Sequence, residues 1–293
     1  MRTAIRTKEI KAIPALPTVL VRAALTRKQS QGVAEFQPLQ LEVQGALADP
    51  TKLARFRKVC DLPETGFLPV TYPQVMAFPL HLQLMLEPEF PFSPIGAVHL
   101  RNRIEQHRAI GVEEALDFQV KMGDARQVAK GYEIDLITEA RSRNELVWEA
   151  VSVILVRKGG SGARQSRPSQ KEETFEYSVD WDLPATLGRE YASASGDYNP
   201  IHLFPLTAKL MGFRRHIIHG MWSKSRILAA LMPRNYEGAV TAEVTFKLPV
   251  YLPGKVRFMY RGESGAFEFA LKDGKGRKPH LSGSLNFTAP SQE

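Results

Sequence analysis

One short segment of the chain combines residue types that can transfer protons and stabilise negative charge. Within 24 residues it contains Asp197, Asn199, His202, His219 and Gly220. Histidine takes up and returns a proton near neutral pH, and an ionised aspartate can orient an imidazole or a water molecule. An Asp and a His five residues apart, across a tight Asn-Pro turn, can therefore point into one pocket and hold a water molecule between them.

The residues around Asp197 predict that it lies on a loop at the edge of an apolar core. Turn-forming residues on both sides of Asp197 follow a helix predicted over 184–194. Apolar residues begin at Ile201, directly before His202. The carboxylate and the imidazole are therefore expected at a boundary between polar and apolar surroundings, where pKa values shift.

Gly220 is expected to begin a buried helix. The residues from Met221 to Leu231 are apolar on more than one face, and Pro233 stops the helix. The backbone N–H of Gly220 would then be unobstructed and aligned with the positive end of the helix dipole. Such a group suits a developing oxyanion.

The same spacing also fits a purely structural interpretation. Asp197 could cap a turn, and Asn199 could fix the turn before Pro200. His202 could be a hydrogen-bonded histidine of the core. His219 is expected to position the helix start or a neighbouring side chain rather than to transfer protons.

A segment rich in Gly, Ser, Arg and Gln, Lys158–Lys171, predicts a linker or a long exposed loop. It divides the chain into an N-terminal domain over 1–157, a linker over 158–175 and a C-terminal domain over 176–293. In each half an apolar or helical section precedes several strands that alternate apolar and polar residues, which suits an antiparallel sheet. The predicted strands are 96–106, 116–122, 128–138 and 145–156 in the first half and 242–251, 255–261, 266–272 and 280–288 in the second.

A short repeat supports a duplication. Gly-Ala-Val occurs at Gly96–Val98 and again 142 residues later at Gly238–Val240, each time opening the first long strand after a helix. The helix of the first half is predicted over 75–86, with Pro79 as a kink or as its true start. The simplest architecture is an α+β fold in which one helix lies on one curved antiparallel sheet, made twice.

The net charge limits the classes of binding partner, and the cysteine content limits the cellular compartment. The formal net charge is +8 and the pI is about 9.5, which favours nucleic acid, an anionic membrane surface, or a phosphate-bearing ligand or acidic carrier. Because the sequence has no zinc-finger spacing, no basic heptad helix and no apolar run of roughly 20 residues, we expect neither nucleic-acid nor membrane binding. Cys60 is the only cysteine, which excludes an intramolecular disulfide, predicts a buried structural thiol and favours a cytoplasmic location.

Two blocks of sequence resemble a known family. Tyr191–His202 (YASASGDYNPIH) followed by Ile217–Met221 (IIHGM) is similar to the signature of the MaoC-like, (R)-specific enoyl-CoA hydratases of the hot-dog fold. The resemblance covers about residues 191–231 and implies a double hot dog, two curved antiparallel sheets each wrapped around a central helix. The first half lacks Asp-x-Asn-Pro-x-His, so it resembles the degenerate domain of two-domain members, with Pro69–Tyr72 and His81 as remnants at best.

The resemblance implies a role for each matching residue. Asp197 and His202 become the pair that activates water, and the Gly220 amide becomes the donor to the thioester carbonyl, with Asn199 and His219 in support. The implied reaction is the reversible hydration of trans-2-enoyl thioesters to (R)-3-hydroxyacyl thioesters. It requires no metal and no redox cofactor.

One position departs from the family pattern. A helix serine supports the catalytic histidine in relatives, and the position eight residues beyond Gly220 is Leu228. Ser223 or Ser225 could substitute for it, or the support could be absent.

A substrate carried by coenzyme A or acyl carrier protein would explain the basic excess, because coenzyme A has phosphates and the carrier is acidic. Some of the basic residues that flank the motif are expected to rim the entrance and bind phosphate, or else to form a solvated cationic face: Lys209, Arg214, Arg215, Lys224 and Arg226.

Two other functions remain open from the sequence: a non-catalytic subunit that binds acyl thioesters, and a thioesterase, against which the Asp-x-Asn-Pro-x-His spacing argues. Since two joined hot dogs already make the pairing that single-domain relatives achieve as dimers, we expect a monomer or a homodimer.

Overall fold

The computed structural model describes residues 5–15, 18–19, 22, 26, 39–92, 96–157 and 174–288. The predicted linker therefore lies outside the described residues except for its last two positions. Among the described residues, no helix has the length and apolar character needed to cross a bilayer.

The described elements are strands and short helices. The strands are β1 (Arg6–Glu9), β2 (Leu39–Ala46), β3 (Val98–Gln106), β4 (Leu116–Val128), β5 (Gly131–Ser142), β6 (Glu145–Arg157), β7 (Tyr177–Leu183), β8 (Val240–Phe246), β9 (Gly254–Glu263), β10 (Ala266–Asp273) and β11 (Pro279–Phe287). The helices are α1 (Pro50–Cys60), α2 (Tyr72–Leu86), α3 (Leu187–Ser195), α4 (Pro205–Leu210) and α5 (Gly220–Leu231), with a 3₁₀ turn over Pro200–His202.

All eleven strands form one sheet in the order β1-β2-β4-β5-β6-β3-β8-β11-β10-β9-β7. Every pairing is antiparallel except that of β1 with β2. The first half contributes β2-β4-β5-β6-β3, and the second half contributes the same order, β7-β9-β10-β11-β8, in the opposite direction. The two sheets expected from the sequence are therefore joined edge to edge at β3 and β8, and the duplication is visible in the topology.

The register at this junction has a local two-fold relationship. β3 and β8 are the strands that the Gly-Ala-Val repeat opens, and they pair with each other. Asn102 lies opposite Val244, which follows it by 142 residues, the offset of the repeat. β3 and β8 are therefore equivalent strands of the two halves, and they pair with each other around Asn102 and Val244.

The predicted helices and strands are largely present, and the main differences concern unpredicted strands, one strand end and the place of Pro79. The sequence patterns did not reveal β1, β2 and β7, of which β7 has an almost fully exposed face. The strand predicted to run to Tyr251 ends at Phe246, because the following segment leaves the sheet and Val250 accepts a backbone hydrogen bond from Ile218. Pro79 lies inside α2 rather than at its start.

The helices pack against one another where the halves meet. α1 contacts α3, with the rings of Phe56 and Tyr191 5.9 Å apart, and Trp222 of α5 donates a hydrogen bond to the Val59 carbonyl of α1. Cys60 is fully buried, as predicted, and burial raises the pKa of its thiol. A largely apolar core therefore fixes the ends of the helices that carry the candidate site.

Candidate active site

Local hydrogen bonds shape the loop that carries Asp197. The helix α3 ends at Gly196, whose φ of 80° is left-handed and favours glycine. The Asp197 carboxylate accepts the Asn199 N–H at 3.2 Å, and the Asn199 side-chain oxygen accepts the Ile201 N–H at 3.3 Å. Asn199 therefore opens the 3₁₀ turn that presents His202, which is the turn-forming role expected of an Asn before Pro.

A glycine that the sequence analysis did not single out allows this loop to approach α3. A Cβ atom at Gly188 would lie 2.1 Å from the backbone oxygen of His202. Only the absence of a side chain lets the turn lie this close. The available signal was an isolated glycine within a predicted helix.

The His202 imidazole is buried and held in one tautomer. Its Nδ1 lies 2.8 Å from the carbonyl oxygen of Ile217, an acceptor, so Nδ1 must carry the proton. A backbone hydrogen bond from Ile217 to Ile201 fixes this carbonyl beside the loop. The other ring nitrogen, Nε2, is left with its lone pair and can act as a base.

His219 touches both Asp197 and His202. Its ring lies 3.6 Å, centroid to centroid, from that of His202, and its Nε2 donates to the backbone oxygen of Asp197 at 2.8 Å. One side-chain donor atom from each of the three residues lies within 4.8 Å of the others. This spacing suits a shared water molecule or a metal ion.

Burial shifts the pKa values of Asp197 and His202, the two proposed proton carriers, in opposite directions. The Asp197 side chain is 29% exposed, and loss of solvation raises the pKa of its carboxyl, opposed by the neighbouring His202 and by the Asn199 N–H. Burial lowers the pKa of His202, opposed by Asp197 and the Ile217 carbonyl. These opposite shifts bring the two pKa values closer together, which favours proton exchange between the two groups.

Gly220 is the first residue of α5, as predicted. Among the described residues no side chain caps this helix start, so the N–H of Gly220 points out of the first turn without a partner. A Cβ atom here would lie 2.7 Å from the ring of Phe246, which packs across the glycine. The structure thus places an open amide in apolar surroundings at the positive end of a buried helix.

The two candidate substitutes for the family serine do not reach His202. Ser225 is buried and bonds to Thr71 and to the Met221 carbonyl, on the side of α5 that faces the first half. Ser223 is also buried, and no hydrogen bond joins it to His202 among the described residues. Leu228 is buried in the core.

The prediction that Lys224 lies at the entrance is wrong. Its side chain is fully buried, and Nζ donates to the side-chain oxygen of Asn102 at 2.6 Å and to the Ala242 carbonyl at 2.9 Å. A long aliphatic stem lets the ammonium reach across the core to polar groups of the β3–β8 junction.

The other basic candidates lie nearer the surface. Arg226 is partly buried, pairs with Asp61 and covers the ring of Trp181. The exposed members, of which Arg214 covers the ring of Tyr251, are Lys209, Arg214 and Arg215. Of the five candidates, these three have a surface position compatible with binding an anionic substrate group.

Known proteins share sequence and fold with this chain. Residues 166–281 match the MaoC like domain family model. Over 239 residues the chain is 31% identical to 3-hydroxyacyl-thioester dehydratase X of Mycobacterium tuberculosis, covering 81% of this chain and 85% of that protein. The crystal structure of HtdX from the same organism superposes with a TM-score of 0.72 at 31% identity, over 84% of this chain and 98% of that one. The (R)-specific enoyl-CoA hydratase of Aeromonas caviae is 35% identical over 69 residues, 22% of this chain and 52% of that protein.

The fold and these similarities place the chain among the double hot-dog proteins, which confirms the predicted fold class. The chain belongs to the MaoC-like dehydratase family.

Proposed function

We propose that the chain is a hydro-lyase that reversibly hydrates trans-2-enoyl thioesters to (R)-3-hydroxyacyl thioesters. The observation that carries the proposal is the tautomer of His202, whose Nδ1 donates to Ile217 and leaves Nε2 as a base, on a ring that has a nitrogen within 4.8 Å of the Asp197 carboxylate. The printed names of the relatives, a 3-hydroxyacyl-thioester dehydratase and an enoyl-CoA hydratase, support the same reaction class.

The geometry supports a balanced acid–base mechanism. A water molecule between Asp197 and His202 gives a proton to Nε2 of His202 while its oxygen forms a bond to the β-carbon. The electron pair of the carbon–carbon double bond moves towards the thioester oxygen, where the Gly220 N–H stabilises the enolate-like charge. The α-carbon then takes up a proton from the Asp197 carboxyl, which is protonated at the start, and the proton on Nε2 of His202 passes to the Asp197 carboxylate, so that both groups return to their starting states.

Dehydration is the same path in reverse, and every step uses groups of the chain and water alone. We propose that the substrate is carried by coenzyme A or acyl carrier protein, with Lys209, Arg214 and Arg215 as candidate contacts for its phosphates or acidic surface.

The proposal is tested by measuring the hydration of crotonyl-CoA and longer enoyl-CoAs. The reaction is monitored as the loss of the enoyl absorbance. Asp197→Asn and His202→Ala are each expected to lower kcat by at least about a hundredfold, since this is the usual contribution of acid–base catalysis. Asp182→Asn, at an exposed ion pair, and His107→Ala, at a half-exposed histidine, are matched controls expected to keep wild-type rates.

Two results would contradict the proposal. One is inactivity of the wild-type protein on enoyl thioesters of all chain lengths, including carrier-bound forms. If the inactive protein also binds acyl-CoA tightly, and Asp197→Asn leaves this binding unchanged, the chain is a binding subunit. The other is release of free thiol from saturated acyl-CoA without hydration, which would indicate a thioesterase.

A further inference from the structure

Exposed apolar side chains concentrate on one short stretch of the surface. Nine large apolar side chains are exposed among the described residues, and five of these lie within positions 198–211. The five are Tyr198, Phe204, Leu206, Leu210 and Met211. Single exposed apolar residues are normal on a protein surface, whereas a contiguous group of them marks an interaction site.

The short helix α4 presents two of these side chains at its outermost point. Leu206 and Leu210 lie one helical turn apart, on the side of α4 opposite Ala208, which is fully buried. The two leucines are 70% and 81% exposed. They therefore protrude from a surface that is convex towards solvent.

Cations flank the leucines without nearby acidic residues in the sequence. Lys209, Arg214 and Arg215 are exposed and form no ion pair among the described residues. The sequence has no Asp or Glu at positions 198–236. We define the α4 surface as the exposed apolar and basic residues of this stretch: Phe204, Leu206, Lys209, Leu210, Met211, Arg214 and Arg215.

The size and charge of the α4 surface favour a lipid bilayer over a protein partner. In a two-fold dimer built on this surface, the same three cations of each copy would face each other. A stable protein interface also uses roughly 20–30 residues from each partner, far more than this surface contains. An anionic bilayer supplies phosphates for the cations, and its acyl layer accepts protruding leucines without a matching groove.

The α4 surface is joined to the loop of the candidate active site. The Thr207 hydroxyl donates to the Pro200 carbonyl at 2.6 Å, within the 3₁₀ turn that presents His202. A bilayer in contact with α4 therefore lies beside this loop.

We propose that the α4 surface docks the protein peripherally on anionic lipid membranes. Leu206 and Leu210 insert at the boundary between head groups and acyl chains, and the flanking cations pair with lipid phosphates. Peripheral docking needs no spanning segment, so it differs from the sequence-based expectation of no membrane binding, which rested on the length of apolar runs. The proposal goes beyond hydration at Asp197, because docking involves no bond making or breaking.

Co-sedimentation of the full chain with lipid vesicles tests the proposal. One set of vesicles contains phosphatidylcholine alone, and the other contains equal parts of phosphatidylcholine and phosphatidylglycerol. We expect the protein to bind the anionic vesicles, to bind the neutral ones at least about tenfold more weakly, and to be released by high salt, because salt screens charge attraction.

Substitution of the leucines tests the apolar contribution. The double variant Leu206→Ser, Leu210→Ser should bind the anionic vesicles about tenfold or more less tightly, because each leucine loses the gain from apolar burial. Leu47→Ser, at a leucine that is 62% exposed elsewhere on the surface, is the matched control and should bind as the wild-type protein does. Since all three leucines are exposed, the thermal midpoints should stay close to that of the wild-type protein.

Substitution of a cation tests the electrostatic contribution. Lys209→Gln and Arg215→Gln should each weaken binding to the anionic vesicles about fivefold, the effect of about 1 kcal/mol per basic residue near a charged membrane. Arg277→Gln, at an exposed turn outside the α4 surface, is the matched control and should not change binding.

Failure of the wild-type protein to bind the anionic vesicles would overturn the proposal, as would binding that the double leucine variant leaves unchanged. Self-association, or docking of an acidic carrier protein, that depends on the two leucines when vesicles do not bind would assign the surface to another partner and would also overturn it. Hydration of crotonyl-CoA is measured without vesicles. Its absence in the wild-type protein would contradict the proposed reaction alone, so the two proposals fail separately.

Discussion

The imidazole rings of His202 and His219 stack with 3.6 Å between their centroids and 27° between their planes. His219 also donates a hydrogen bond to the backbone oxygen of Asp197. One side chain therefore packs against the proposed base and holds the backbone of the proposed acid. Burial and the neighbouring His202 lower the pKa of His219 well below its usual value, so it remains neutral. This arrangement defines His219 as a positioning residue.

Two substitutions of His219 separate its ring stacking from its hydrogen bond. His219→Phe keeps a flat ring and removes the donor to Asp197, whereas His219→Gln keeps an N–H donor and removes the stack. We expect each to lower kcat for crotonyl-CoA about tenfold or more with a smaller change in KM, because displaced catalytic groups lose rate. The measurement is steady-state hydration kinetics, with the thermal midpoint as a check on folding. Wild-type kcat in both variants would contradict the positioning role.

Gly188→Ala should uncouple the loop from α3. The added Cβ would lie 2.1 Å from the backbone oxygen of His202, so the helix or the loop must move. We expect a loss of about 1–3 kcal/mol in the free energy of unfolding, together with reduced kcat. An unstrained Gly→Ala change inside a helix would instead stabilise by roughly 0.5–1 kcal/mol, so the sign is diagnostic.

Urea unfolding measures the difference in the free energy of unfolding between the wild-type protein and Gly188→Ala. Gly66→Ala is the matched control, because a Cβ there meets no atom within 4 Å and the residue lies in a loop outside the candidate active site. Its stability and activity should stay close to those of the wild-type protein. A stable, active Gly188→Ala variant would show that the close approach to His202 is not needed.

The candidate site could be predicted from the sequence where local patterns determine geometry. Gly220 begins its helix and Leu231 ends it, as the apolar pattern and Pro233 indicated. Asp197 lies on a turn whose residues bond to their own neighbours within the chain. Such interactions span few residues, so residue types and spacing are sufficient to reveal them.

The sequence could not reveal features that depend on distant partners. The tautomer of His202 is set by the carbonyl of Ile217, a backbone atom with no side-chain signature. The burial of Lys224 depends on acceptors from β3 and β8, and one of them, Asn102, is 122 residues away. Long-range packing overrides the usual expectation that a lysine is exposed.

Buried histidines in the first half predict a loss of stability in acid. His81 is 4% exposed and bonds to Thr138, and burial lowers its pKa to about 3. Between pH 6.5 and about 3 the unfolded chain binds a proton at this residue that the folded chain does not, so stability falls as the pH falls through this range. The contribution of His81 approaches about 1.4 kcal/mol per pH unit.

His81→Gln should remove this part of the pH dependence, because glutamine does not titrate and can still bond to Thr138. The measurement is the free energy of unfolding in urea from pH 7 down to the lowest pH at which the variant folds. His107→Gln, at a half-exposed histidine, controls for the loss of a histidine from the surface. Equal slopes of stability against pH for the wild-type protein and His81→Gln would contradict the prediction. They would mean that His81 takes up its proton over the same pH range in the folded protein as in the unfolded chain.

The ammonium group of Lys224 is held at the junction of the two halves by oxygen atoms alone. Its acceptors are the side-chain and backbone oxygens of Asn102 and the backbone oxygen of Ala242, and no ion pair to it occurs among the described residues. Burial lowers the pKa of Lys224 well below its usual value. Removing an acceptor should be costly, since it leaves a buried donor on Nζ of Lys224 without a hydrogen-bond partner.

A double-mutant cycle measures how strongly the stabilising effect of Asn102 depends on Lys224. Asn102→Leu alone should lower the free energy of unfolding by about 2 kcal/mol or more, because hydrogen bonds to charged groups are worth about 1.5–3 kcal/mol. In the Lys224→Met background the same change should cost at least about 1 kcal/mol less, because no Nζ donor is left that needs the Asn102 acceptor. Ser152→Ala controls for the separate bond from Asn102 to Ser152. Strictly additive effects in urea unfolding would show that Asn102 and Lys224 stabilise the junction independently, and that the observed 2.6 Å contact contributes little.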